Sequence, residues 1–236
     1  RDTDRSRGLG DVYKRQHDDK EAEKKKTQYT TFDDAGRFTG FTVREEGNNV
    51  VVTANYKLGC FDQAVWTIAP DGTAAIDFTY NFSGVVDLMG VMFDYPEDKV
   101  LSKRWVGDGP YRVWQNRLHG PQLGVWENEY NDPIPAESFT YPEFKGYFAN
   151  VQWMTLKTQE GTISICNRTP QNYVGVYQPR DGRDGLLYTF PATGISLMKV
   201  IPPVRNKVNT TDLIGPSSQA FWADGAYGGG ITLKFE

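Results

Sequence analysis

The sequence predicts an all-β, antiparallel fold, and three observations carry that prediction. Apolar and aromatic side chains alternate with polar ones over short runs. Gly, Pro, Asn and Asp punctuate those runs at the spacing of short strands joined by turns. No stretch carries an apolar stripe at helical spacing over three turns. With 39% hydrophobic and 14% aromatic residues in 236, the chain has material for a sizeable packed core rather than for a disordered polymer.

The N-terminus stands apart. Residues 1–16 (RDTDRSRGLGDVYKRQ) have no periodicity and resemble translated adaptor sequence, so they are set aside from fold reasoning, with the natural protein expected to extend upstream of His17. Residues 17–28 are charge-rich and read as a solvated linker, which leaves 29–236 as the β domain. Phe38 to Glu45 alternates, and Asn49 to Lys57 follows across Gly47-Asn48, a hairpin signal. Gln63 to Ile68 leads to Pro70-Asp71-Gly72, where Pro presets φ and Gly tolerates a positive one. Thr73 to Phe82 places Ile76, Phe78, Tyr80 and Phe82 on one face. Strands are also expected at Gly120–Trp126, Asn150–Lys157, Thr162–Cys166, Tyr173–Gln178, Ile195–Val200 and Ile231–Phe235. Two long loops, between Asn128 and Tyr147 and between Pro179 and Gly194, are where a β scaffold usually carries binding residues.

Composition excludes several functions. The net charge is −4 and the longest basic run is Lys24-Lys25-Lys26, so nucleic acid is not an expected partner. No apolar run approaches the ~20 residues of a membrane span. Cys60 and Cys166 read as free thiols rather than a disulfide framework, and no zinc-ligand spacing occurs. Gly228-Gly229-Gly230 lacks the context of a phosphate loop and reads as a strand lead-in or bulge. No cofactor or metal is expected in this chain, and its compartment stays open between cytoplasm and periplasm.

The richest segment runs from Trp105 to Trp126 (WVGDGPYRVWQNRLHGPQLGVW). Gly107 and Gly109 suit a turn, Pro110 stiffens its exit, and Arg117 offers a planar fork suited to clamping two loops. This pattern of Gly107, Gly109, Pro110, Trp114, Asn116-Arg117, Gly120, Gly124 and Trp126 resembles the signature of the C-terminal domain of bacterial β-galactosidases of glycoside hydrolase family 2. Downstream, Tyr141-Pro142-Glu143, Gly146 and the strand bearing Trp153 continue the likeness. Arg112 stands where the family commonly has an acid, Asn116 replaces an Asp, and Glu143 sits slightly early. The matching motifs span about Val100 to Leu156.

The resemblance implies an antiparallel β-supersandwich of the galactose mutarotase-like kind. It implies that retaining hydrolysis is performed by two glutamates of an upstream TIM barrel, absent from this chain, with a β-galactoside or related oligosaccharide as ligand. It also implies that a Trp near the domain's end joins the sugar platform. Trp222 is the Trp of the segment Gly215 to Gly230, and Phe221 and Tyr227 accompany it as carbohydrate-binding candidates. The family-motif residues are expected to be structural. Trp66, Trp105, Trp126 and Trp153 are expected in the core, whereas Trp114 lies in a turn-rich segment able to expose it.

No residue is expected to be catalytic here. Asp108, Glu127, Glu129 and Glu143 form no recognisable pair of the kind a retaining glycosidase needs. A stand-alone carbohydrate-binding module is the alternative reading. A mutarotase-like epimerase fits poorly, because such enzymes resemble one another in using several histidines and His119 is the one credible histidine.

Overall fold

A computed structural model describes residues 11–12, 36–86, 88–129, 146–176, 194–203 and 215–236. Thirteen strands are present among them: β1 (Asp11–Val12), β2 (Arg37–Glu46), β3 (Asn49–Lys57), β4 (Phe61–Ile68), β5 (Ala74–Val86), β6 (Met89–Phe93), β7 (Val100–Gly109), β8 (Gln122–Glu129), β9 (Trp153–Thr158), β10 (Gly161–Asn167), β11 (Tyr173–Gly175), β12 (Ile195–Val200) and β13 (Phe221–Phe235). They form two sheets, a four-stranded one in the order β1-β6-β12-β11 and a nine-stranded one in the order β2-β3-β4-β5-β13-β10-β9-β7-β8. Every strand pairing is antiparallel, as the sequence predicts. The short strand β1 lies inside the segment set aside above and pairs with β6.

Local chemistry fixes the hairpins. Gly47 adopts φ 61°, so Glu46 faces Asn49 across a two-residue turn. At the next turn Gly72 takes φ 81°, and the Asp71 carboxylate accepts hydrogen bonds from the Thr73 N–H and hydroxyl, both at 3.0 Å. The backbone N–H of Thr73 is the main reason the Asp71 carboxyl is held below its ordinary pKa.

The main core lies between the sheets. On β5, Ile76, Phe78 and Tyr80 are buried on one face, and Phe82 packs against the same cluster. They join Ile163, Ile165, Ile231 and Leu233 of the large sheet and Met89, Val91, Ile195 and Leu197 of the small one. Trp105 is fully buried, with its ring 4.7 Å from Phe148 and its indole N–H donated to the Asp108 carbonyl at 3.0 Å. Lys103, also buried, donates to the Glu129 carbonyl at 3.1 Å and lies 5.7 Å from the Phe148 ring centre.

The small sheet is buried on both faces, which its sequence shows as unbroken apolar runs. Its second face, carrying Leu88, Met92 and Met198, packs under Val113, Trp114, Tyr147 and Ile201. Strand β6 therefore lacks an alternating pattern and was not expected. Strand β7 was not expected either, because Gly107 and Gly109 suit a turn. Both are in strand instead, for a packing reason given below.

Burial pushes the phenols of Tyr80 and Tyr147 well above their ordinary range. A phenol with a raised folded-state pKa favours the native state below about pH 10, and that advantage is lost as pH climbs past the unfolded value. In an alkaline titration at 295 nm, Tyr80→Phe or Tyr147→Phe should remove absorbance gained only during unfolding. Ionisation of both phenols near pH 10 with native circular dichroism retained would contradict this burial.

Candidate functional site

The signature segment begins on β7, where its glycines make room for neighbours. A Cβ on Gly109 would lie 2.6–2.8 Å from ring atoms of Trp126, and one on Gly107 would lie 2.9 Å from the Val151 Cα. The Trp126 indole lies across that glycine backbone and donates to the Gly107 and Gln122 carbonyls, both at 3.2 Å. Half-buried Trp126 thus needs Gly109 for its seat. The Gly109–Pro110 peptide is cis.

Beyond Pro110 the chain folds over the small sheet. Val113 and Tyr147 exchange backbone hydrogen bonds at 2.7 and 3.0 Å. Trp114 is 5% exposed and meets Tyr147 edge-on at 6.1 Å, so the turn-rich segment does not expose it. Its indole is held in the second core cluster by Leu88, Met92 and Met198. Gly146 is required beneath it, because a Cβ there would lie 2.5 Å from the Val113 carbonyl oxygen and 2.8 Å from the Trp114 ring nitrogen.

A tight turn closes at Trp114–Arg117, with the Arg117 N–H donating to the Trp114 carbonyl at 2.8 Å. The two residues inside the turn form the clamp that Arg117 was expected to make. Gln115 donates its side-chain amide to the Gln219 carbonyl at 2.8 Å, and Asn116 donates to the Ser218 hydroxyl at 3.0 Å. The Gln115 N–H also reaches the Pro202 carbonyl at 3.1 Å. Arg117 is exposed and its guanidinium meets no partner among the described residues. The amides win because they lie inside the turn and face the chain around Gln219. That chain is a 3₁₀ turn (Pro216–Ser218) leading directly into β13.

β13 begins with the carbohydrate-binding candidates, and its alternation separates them. Trp222 is 66% exposed opposite Val85, on the face of the large sheet away from the core. Asp224, exposed two residues on, shares that face. Phe221 lies on the other face, at the margin of the core, opposite buried Val86. Tyr227 is on the core side too, stacked on Tyr80 at 5.7 Å, with its hydroxyl accepting the Asp224 N–H at 2.8 Å. The three are therefore not one platform. Gln115, Ser218 and Gln219, which fix the approach to Trp222, carry no sequence signal beyond ordinary turn composition.

The remaining candidates separate as well. Trp153 is 37% exposed and points away from the core, contrary to expectation, because its rung places it on the outer face with Cys166 and Val106. Trp66 packs partly against the core. Gly120 stands in an exposed turn with φ 113°, beside exposed His119. Tyr141, Pro142 and Glu143 lie outside the described residues. Neither Cys60 nor Cys166 is in a disulfide. Asp108 accepts a hydrogen bond from Asn150 at 2.7 Å and faces Leu123, whereas Glu127 faces Arg104 four residues along β7. Four residues of strand span about 13 Å, well over the ~5 Å between the carboxyls of a retaining glycosidase. Among the described residues, no group of three or more His, Cys, Asp or Glu is arranged to hold a metal ion, and no helix is long and apolar enough to cross a membrane.

The described residues form an unequal antiparallel sandwich with an outward indole on a clamped strand. The family described as Beta galactosidase small chain matches residues 2–196, and the chain belongs to that family. No curated protein matches. Among solved structures, the GalM/aldose epimerase homologue from C. elegans is similar at 9% identity, over 84% of this chain and 69% of that one, with a TM-score of 0.33.

Two substitutions check this geometry. Gly109→Ala should cost about 1–3 kcal/mol through overpacking against Trp126, and much less in a Trp126→Ala background, as read from urea midpoints. Equal penalties in both backgrounds would show that the indole is not the obstacle. Asn116→Ala should cost about 1 kcal/mol and speed amide exchange selectively over residues 215–222. Unchanged exchange there would remove the clamp.

Proposed function

We propose that this chain is the sugar-side, non-catalytic domain of a β-galactosidase-like retaining glycoside hydrolase. It supports a catalytic barrel outside this chain and offers Trp222 to the carbohydrate pocket. The observation that carries the reading is the exposure of Trp222 at a strand end held by the Trp114–Arg117 turn. At 66% exposure the Trp222 indole has an open apolar face for a ligand to cover. A pyranose has a C–H-rich face that does so, and the Asp224 carboxylate on the same strand face is an acceptor for its hydroxyls.

The acids support the division of labour. Asp108 and Glu127 are held apart by the β7–β8 register, so these two acids do not form a nucleophile and acid at glycosidase distance. Hydrolysis is assigned to the barrel for that reason, together with family membership.

The isolated chain should not hydrolyse o-nitrophenyl β-galactoside, and robust turnover by it would overturn the proposal. In the enzyme carrying this domain, Trp222→Ala should lower kcat/KM for the same substrate about tenfold, the equivalent of losing ~1.4 kcal/mol of aromatic contact. An unchanged kcat/KM would place Trp222 outside the pocket.

A further inference from the structure

We propose a second carbohydrate-binding surface, centred on Trp153, on the outer face of the nine-stranded sheet. It shares the sugar-ligand reading above, on which it rests, but it is a different place. Trp222 and Thr232 lie ten residues apart on the same face of β13, about 33 Å along the strand.

Two rungs of the sheet build it. Trp153 of β9 faces Cys166 of β10, which faces Thr232 of β13. On the next outward rung Thr155 faces Ser164, which faces Lys234. These six side chains, with Thr73, Met154 and Ile165, line an open groove of about 310 Å³, a size suited to a small ligand. Its floor is β10 and its sides are β9 and β13, two strand spacings or about 10 Å apart. That width admits one pyranose ring lying flat.

The lining selects the ligand class. The partly exposed indole provides the one aromatic wall, and Met154 and Ile165 add apolar surface. The Thr155 hydroxyl stands beside it on β9, and the Ser164 and Thr232 hydroxyls and the Lys234 ammonium, which pairs with Glu236 at 3.0 Å, stand below and opposite. An apolar wall facing hydroxyl and charged groups is complementary to a sugar ring, which has one C–H-rich face and a hydroxyl-rich perimeter. A protein partner favours a cluster of large apolar anchors at the centre of its site, and here Trp153 is the sole aromatic lining residue. A phosphate backbone needs several unpaired cations, whereas Lys234 already has its carboxylate.

Cys166, a free and exposed thiol on the groove floor, is a built-in reporter. β-1,4-Galactotetraose should slow its reaction with a disulfide reagent at least threefold, while the less exposed Cys60 serves as the internal control. Calorimetric titration with the same oligosaccharide should show binding weakened at least tenfold by Trp153→Ala, restored by Trp153→Tyr and unaffected by Trp222→Ala. Circular dichroism of each variant separates loss of the wall from loss of the fold, and the Cys166 protection test uses the unaltered chain. No protection of Cys166, or binding that survives Trp153→Ala or vanishes with Trp222→Ala, overturns the proposal. Trp153→Ala should leave hydrolysis of o-nitrophenyl β-galactoside by the enzyme unchanged. A Trp222 effect on turnover without Trp153-dependent binding would reject this surface and keep the pocket-wall function, and the converse pattern would do the opposite.

Discussion

The pairing of β13 with β5 is the joint on which the large sheet depends. Thirteen consecutive residue pairs, from Phe221 with Val86 to Leu233 with Ala74, join strands β2–β5 to strands β10, β9, β7 and β8. Without it the nine-stranded sheet falls into two pieces. Glycine is ordinarily a poor strand residue, since it packs nothing and gives up much chain entropy. The run Gly228-Gly229-Gly230 is nevertheless embedded in this joint. A Cβ at Gly229 would lie 2.7 Å from the tip of the Phe78 ring, and one at Gly228 would lie 2.7 Å from the Phe78 carbonyl. The missing side chains let Phe78 lie against the strand, and Tyr80 stacked on Tyr227 continues the seam. The same alternation sends Trp222 and Asp224 outward, so the placement of the proposed sugar contacts is a by-product of core register.

The segment from Gly107 to Gly146 does mainly architectural work among the described residues. Gly109 seats Trp126, and Gly146 seats Trp114. Val113, Trp114 and Tyr147 roof the second face of the small sheet. Gln115 and Asn116 then extend that roof to the strand bearing Trp222. A motif of this kind links a structural element to the strand bearing Trp222 through two side-chain hydrogen bonds, each of modest strength.

The parts of the fold that were legible in the sequence follow from one physical fact. Strands with one wet face show alternation, and β3 has the limits that alternation and turn residues mark. β6 shows none because both faces of its sheet are buried. β7 was concealed because glycines required by a neighbouring ring look the same in sequence as glycines required by a turn. β13 is longer than the expected Ile231–Phe235 for a similar reason. At the site, the exposure of Trp222 could not be read from its neighbours, since the parity of a strand residue is set by a register partner distant in the chain. Trp153 was mistaken for core on the same ground. The clamp was mis-assigned to Arg117 because residue type suggested a fork, while turn geometry gave the contacts to the shorter amides.

The two sheets also differ in width, and that mismatch has a material consequence. β2 ends the large sheet, and no described strand pairs with its outer edge. Phe38, Phe41 and Val43 on it are about half exposed or more. A long margin with apolar rings and backbone groups that no described strand pairs is a template for recruiting further strands. Handled by itself at high concentration, this polypeptide is expected to be adhesive, and a single lysine in place of Phe41 is the economical way to keep it in solution.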